Sequence, residues 1–545
     1  MDGKWPAKAA AITLALSLAV LAAGRIAPVS AQTSSSDTAV VAMYEEPSSL
    51  NPILGPQMDF ATMVELTMFP NLFGVQPDGK LTPDLAAVVP TVQNGGISKD
   101  GLTYTFHLRP HVEWSDGQPF TAQDVLKTYQ LLVDPQVNAL TTAGFNQVTK
   151  AEVIDPLTIR FTLKRPYAPF LTTCWSAVQI GIIPAHIFDK IPASEVNKAP
   201  FNYAPSVSLG PYVFESWKHG AAITVVANPH YYGKKPKLKK IVFQIMPDQN
   251  TILSSIQSGS VNLYTFVPIQ QVATLQSNPA VKVHFYDQSA WEWGQLNFKD
   301  PILQDARVRR ALEYGIDRQA IVDHIWQGKA TPTADTQIPL YWSYDPAIKP
   351  YPYDPKKAAA LLDEAGWKMG PGGVRVKDGK QLVITYSTTA GNPWREETEQ
   401  IVQQQLGQIG VKIDIHNYPA NIFFGNILFH GQFQIAEYQA TGGPDPDLRL
   451  YRADSCNAIP PHGSNYGSWC DKRLDPLLEE EEEAATDRSQ RKAAFDKISK
   501  IENEEMPNLY YYSPKGIVAT SHLEGFVPNG YVQPTWDVTE WSIGK

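Results

Sequence analysis

The sequence predicts an α/β protein of several domains, with mixed sheets flanked by helices. Three observations predict it. The chain has 545 residues, 43% hydrophobic and 19% charged; at ~150 residues per domain that globular composition supplies three or four domains. Between Asp100 and Val125 a strand pattern is followed by a turn and a capped helix. From Gln381 to Tyr438 the pattern runs strand, helix, strand, helix, strand, a β-α-β succession.

Lys4 and Lys8 precede an apolar run from Ala9 to Ala23, and Val29-Ser30-Ala31 places small residues before Gln32. This is the pattern of a cleavable secretory signal peptide over residues 1–31, the apolar run being too short to span a membrane. Those residues carry three basic side chains (Lys4, Lys8, Arg25) and one acid (Asp2), so their removal takes the formal charge from −9 to −11. Such acidity argues against nucleic acid or anionic lipid as the main partner. Export also permits a disulfide between Cys456 and Cys470, which enclose thirteen residues; closing a loop of that size contributes ~3 kcal/mol in the chain-entropy model. Cys174, beside Trp175 in an apolar segment, is expected to be a buried free thiol.

Thr38 to Tyr44 reads as the first strand and Glu45 to Pro52 as an irregular loop. Asp100-Gly101 then marks a turn. Leu102, Tyr104, Phe106 and Leu108 alternate with Thr103, Thr105, His107 and Arg109, the period of a half-buried strand. Pro110 stops it, because proline donates nothing to a ladder. A short strand is expected over His111 to Trp114. Thr121, three residues before Asp124, caps a helix from Ala122 to about Leu132. A strand pair is expected at Val148–Ile154 and Thr158–Leu163.

The run LTYTFHLRPHVEWSDGQPFTAQDV resembles the signature segment of the extracytoplasmic solute-binding proteins of family 5, the oligopeptide, dipeptide and nickel receptors of ABC importers. Gly210-Pro211-Tyr212 followed by Asn228-Pro229-His230-Tyr231-Tyr232, then Asp305-Ala306-Arg307-Val308-Arg309-Arg310-Ala311-Leu312 with Ile316-Asp317-Arg318, and Ala365-Gly366-Trp367 resemble further family motifs. The resemblance implies a two-lobed, type II periplasmic-binding-protein-like fold with an extra domain and a hinge between lobes. Residues 38–62, 184–290 and 511–545 would form lobe I, 63–183 the extra domain inserted in it, and 291–510 lobe II. Many receptors of this family carry a cysteine after Leu-Ala-Ala-Gly and become lipoproteins. Here Arg25 follows Leu21-Ala22-Ala23-Gly24, so a free periplasmic protein is expected.

Between these motifs, Lys234 to Lys240 form a basic cluster expected on a solvated loop and a strand edge. Lys239 to Phe243 returns to strand, Asp248 to Ser258 reads as helix, and Trp291 to Phe298 is an aromatic strand. Asp354-Pro355 opens a helix that Gly366 ends. Leu382–Ser387, Pro393–Gln408 and Val411–Ile415 are read as strand, helix and strand. Glu479 to Glu483 follow Asp475-Pro476, where acids in the first turns suit the helix dipole.

Catalytic motifs are missing from the sequence: there is no Gly-x-Ser-x-Gly, no phosphate-cradling Gly-x4-Gly-Lys-Ser/Thr and no His-Glu-x-x-His. Ser489-x-x-Lys492 and Ser542-x-x-Lys545 lack the motifs that accompany a lactamase-type pair. His107 and His111 are separated by Pro110 and have no third ligand nearby. No enzyme activity, cofactor or metal is therefore expected, and the resemblance implies a monomeric receptor for a small solute that it passes to the transmembrane subunits of an ABC permease.

The ligand-binding candidates are Trp293, Trp394 and Tyr438 as aromatic walls, Tyr44 and Glu46 at the family's first ligand-facing turn, and Arg395, Thr441 and Asp445 near strand ends. In peptide receptors of the family an aspartate after the strand ending near Tyr438 pairs with the peptide's α-ammonium. That position falls here on Gly442 or Gly443, with Asp445 two or three residues later. The dipeptide receptors' carboxylate-binding arginine falls near Glu396 or Glu397, with Arg395 adjacent. An oligopeptide or modified peptide held by backbone and pocket walls is the first reading. A sugar, opine or metal chelate is the second, and a secreted hydrolase a remote third.

Overall fold

A computed structural model describes residues 37–55, 59–176, 180–484 and 487–544. The expected signal peptide lies outside them.

One twelve-stranded sheet organises the molecule. Its strands follow the order Lys412–Ile415, Val383–Ser387, Ile435–Thr441, Ala290–Leu296, Asn508–Ser521, Leu263–Tyr264, Thr38–Met43, Lys240–Ile245, Ala222–Ala227 and Tyr212–Lys218, and Val281–Asp287 and Ala330–Pro332 also pair with Asn508–Ser521. The fourteen-residue strand Asn508–Ser521 joins two halves. Asn508 to Tyr512 pair with Gln295 to Glu292, whereas Lys515 to Ser521 pair with Asp287 to Val281. The change of partner falls at Ser513-Pro514, where proline has no N–H for a ladder. Alongside, the chain passes from one half to the other between Asp287 and Ala290. Two adjacent crossings joining packed bodies are the geometry of a hinge.

In the first half, parallel pairing sets Thr38–Met43 between Lys240–Ile245 and Leu263–Tyr264. The core under this sheet continues without a break into the 59–209 segment, from Val41, Ile241 and Phe243 through Phe69 and Phe73 to Phe106, Phe161 and Trp175. There Thr103–His107, Thr158–Leu163 and Val148–Asp155 form an antiparallel three-stranded sheet. Beside it lies the helix Ala122–Val133, whose Thr121 and Asp124 make the reciprocal bonds of a capping box. The second half has its own core, in which Val308, Leu312, Leu362, Val402 and Leu406 pack from helices onto Leu296, Ile384, Ile435 and Tyr511.

Three expectations fail locally. His111 to Trp114 does not form a strand: His111 takes a positive φ of 59° that breaks the extended run, and only Glu113 bridges, antiparallel to Pro119. The basic cluster is solvated as expected, but Lys240–Ile245 is an inner strand and not an edge; Lys234 and Lys237 pair with Glu540, Lys239 with Asp37 and Lys240 with Glu215. The strand expected to end at Tyr438 runs on to Thr441. Cys456 and Cys470 are bonded, and Cys174 is buried and free.

Candidate functional site

Strand register builds an aromatic wall at the centre of the second half. Trp293 stands opposite Tyr438 on one neighbouring strand and Tyr510 on the other, and directly opposed residues share a face. Its ring meets Tyr438 edge-on at 5.6 Å and Tyr510 at 5.8 Å. The Tyr438 hydroxyl donates to Gln295 Oε1 at 2.7 Å. Phe423 and Phe424, on the π-helical segment Phe423–Leu428, set their rings against Tyr438. Trp293 and Tyr438 are buried, while Phe424 is 44% exposed and is the open end of the wall. Trp394 lies elsewhere, half-buried with its ring 6.3 Å from Trp326. The structure thus brings two of the three expected walls together.

The charged candidates are engaged within the protein. Arg395 Nε donates to Glu292 Oε1 at 2.7 Å and its Nη1 to Thr389 Oγ1 at 2.8 Å. Glu292 is fully buried, and burial raises its carboxyl above the usual range despite Arg395 beside it. Close by, Glu437 accepts from the Tyr386 hydroxyl at 2.9 Å and is pushed well up by burial and by Glu292. Burial takes Glu399 up to about 7.

Asp445 receives Arg491 bidentately at 2.7 and 2.8 Å. Glu46 accepts from Trp217 Nε1 at 2.7 Å, His219 Nδ1 at 3.0 Å and the Gly220 amide; slight burial raises its carboxyl, but these bonds outweigh it and hold the group low. Tyr44 is half-buried with its ring edge-on to Phe60 at 4.8 Å. Thr441 is exposed at the strand's carboxyl end, where α/β sheets characteristically receive ligands.

Sequence reasoning missed the neighbours of Gly442. A Cβ added there would fall within contact of the Tyr341 hydroxyl and 2.9 Å from Ser289 Oγ. Those two hydroxyls share a 2.6 Å hydrogen bond, and the Gly442 amide donates to the Ser289 carbonyl. The resemblance places a carboxylate at Gly442 or Gly443, and beside Gly442 this chain has a neutral hydroxyl pair. Tyr341 is 101 positions from Gly442 in the sequence, so only the fold joins them.

Among the described residues, no group of three or more His, Cys, Asp or Glu is arranged to hold a metal ion. Ser489 Oγ bonds Asp487 at a helix cap and Lys492 pairs with Asp496. No helix of the described residues is long and apolar enough to cross a membrane.

The sequence matches a family model described as bacterial extracellular solute-binding proteins, family 5 Middle, over residues 80–460. It is 30% identical to Protein XP55 of Streptomyces lividans over 77% of this chain and 73% of that one. It is 26% identical to the oligopeptide-binding protein AppA of Bacillus subtilis, over 93% and 91%. The structure matches NikZ from Campylobacter jejuni, solved in complex with Ni(L-His), at 25% identity with a TM-score of 0.80, covering 93% of this chain and 100% of the other. The family to which these motifs, this two-halved sheet and this hinge belong is the extracellular solute-binding proteins, family 5, the substrate-binding proteins of ABC transporters.

Proposed function

We propose that this chain is an exported, periplasmic receptor that captures a peptide between its two lobes and delivers it to an ABC permease. The lobes would divide as expected, 38–62, 184–290 and 511–545 against 291–510 with 63–183 inserted in the first, but with the boundaries moved to the crossings at 287–290 and 513–514, since Tyr511 packs in the second core. The solute's contacts are inferred to lie on Phe424, Tyr438, Thr441 and the main chain after Tyr44. The observation that carries the reading is that Arg395 and Asp445 are each in a buried ion pair inside the protein, while the half-exposed Glu46 is occupied by Trp217, His219 and the Gly220 amide. A buried charge binds favourably only when its partner is supplied, and for Arg395 and Asp445 these partners are already in place. The peptide is therefore held by its backbone and by apolar walls, without a grip on its terminal charges.

One observation favours a second reading, a non-peptide solute such as a sugar, opine or metal chelate: the hydroxyl pair at Gly442 suits a neutral polar group at least as well as an amine. A melting screen of the mature protein separates the two. A solute at 100-fold its Kd stabilises by ~2.7 kcal/mol. Shifts by peptides support the first reading, shifts confined to sugars or chelates replace it with the second, and no shift by any class defeats both.

A further inference from the structure

Besides the apolar cluster in which Val75 and Tyr531 of the first half pack with Trp293 and Tyr341 of the second, the halves meet through charged residues away from both crossings. Tyr167 and Phe170 belong to the core of the first half. The helix Asp475–Glu483 packs with Arg488–Glu505 on a separate core of Leu450, Trp469, Leu474, Leu478, Phe495 and Ile498. Between these bodies Arg165 pairs with Glu482, the Ala168 amide donates to the Glu482 carbonyl at 2.7 Å, and Thr172 Oγ1 donates to Asp445 Oδ2 at 3.4 Å. The other Arg165 terminal nitrogen lies 3.7 Å from Glu483.

Charge explains why this contact forms. Asp445, Asp447, Glu481 and Glu482 are gathered in the second half, none more than 5% exposed. Arg491 answers Asp445 and Glu481. Arg165 comes from the other half to answer Glu482. Buried carboxylates need a counter-charge or water, so Glu482 is satisfied by Arg165 where the halves meet and would need solvent if they parted.

We propose that Arg165 is a positioning residue for solute capture: its bond to Glu482, with the Ala168 amide and the Thr172 hydroxyl, is a latch that sets how long the closed form lasts. This rests on the reading that the lobes close over a solute, but its test needs none. Nitroxide labels on Ile154→Cys and Met369→Cys, positions 48% and 54% exposed on the two bodies, report their separation by double electron–electron resonance in the mature protein. Cys174 is buried and the other two cysteines are bonded.

Arg165→Ala is expected to raise the ratio of long to short distances by roughly fivefold or more, the usual scale of a coupling between sites. Glu482→Gln moves it the same way by less and, keeping the side chain's size, carries the test if Arg165→Ala does not fold. The charge swap Arg165→Glu with Glu482→Arg returns the distribution toward the parent, which a merely structural role would not produce. Single variants with the parent's distribution overturn the latch, as does a swap more open than either single change. The solute screen is read separately, so solute binding with unchanged distances removes the latch alone.

Discussion

The hydroxyl of Tyr341 occupies the space into which any side chain at Gly442 would project. Gly442→Ala is therefore expected to cost about 1–3 kcal/mol, the usual range for overpacking. In a Tyr341→Phe background, which removes the obstructing oxygen, the same change should cost less. Urea unfolding of the four proteins of this cycle measures the coupling; additive costs would place the obstruction elsewhere.

Arg395 gives a sharper contrast. Removing it leaves Glu292 buried without its partner, so Arg395→Ala should destabilise by about 3–5 kcal/mol. The double change Arg395→Met with Glu292→Gln should recover most of that loss. Denaturant midpoints check both. If Arg395→Ala weakens solute binding with stability unchanged, the arginine is a ligand clamp and its pairing with Glu292 is incidental.

Acidity should matter in an unusual direction. Burial lifts Glu399 and Asp537 to about 7 and Asp454 to about 8. The folded protein holds these protons to higher pH than the unfolded chain does, so the stability they lend is complete below the unfolded carboxylate range and is lost as pH climbs through 7 to 8. The melting temperature should fall from pH 6.5 to pH 9, and Glu399→Gln should make that fall shallower. A melting temperature that rises over this interval contradicts the protonated core.

Reduction tests the loop that the Cys456–Cys470 bond closes. Opening the Cys456–Cys470 bond should cost ~3 kcal/mol by the loop-closure argument, read as a lower urea midpoint with reductant. An unchanged midpoint would mean that packing alone holds the loop.

How much of this was legible in the sequence follows from the range of the forces. The capping box at Thr121 and Asp124, and the helix Pro393–Gln408 between its Asn392 cap and Gly410, are set by neighbours three or four residues away and read directly. The cross-strand pair Trp293–Tyr438 was half legible, since each residue sat on a recognisable strand but their register did not show. The fate of the charges was not. Glu46 is tied down by Trp217, Arg395 by Glu292 and Asp445 by Arg491, partners 171, 103 and 46 positions away. A one-dimensional pattern shows a candidate's charge but not the remote residue that neutralises it. The five glutamates from Glu479 illustrate the same limit: helix-dipole reasoning placed them on a helix, while Glu481 and Glu482 are buried against Arg491 and Arg165.

The measurement that bears most directly on solute recognition is calorimetric titration of one stabilising peptide against the same peptide acetylated at its amino end and amidated at its carboxyl end. With Glu46, Arg395 and Asp445 engaged internally and Gly442 backed by hydroxyls, the two forms should bind with affinities within about threefold of each other. A loss of more than about tenfold on blocking either end, ~1.4 kcal/mol, would show that a terminal charge is gripped after all and would contradict the neutral site.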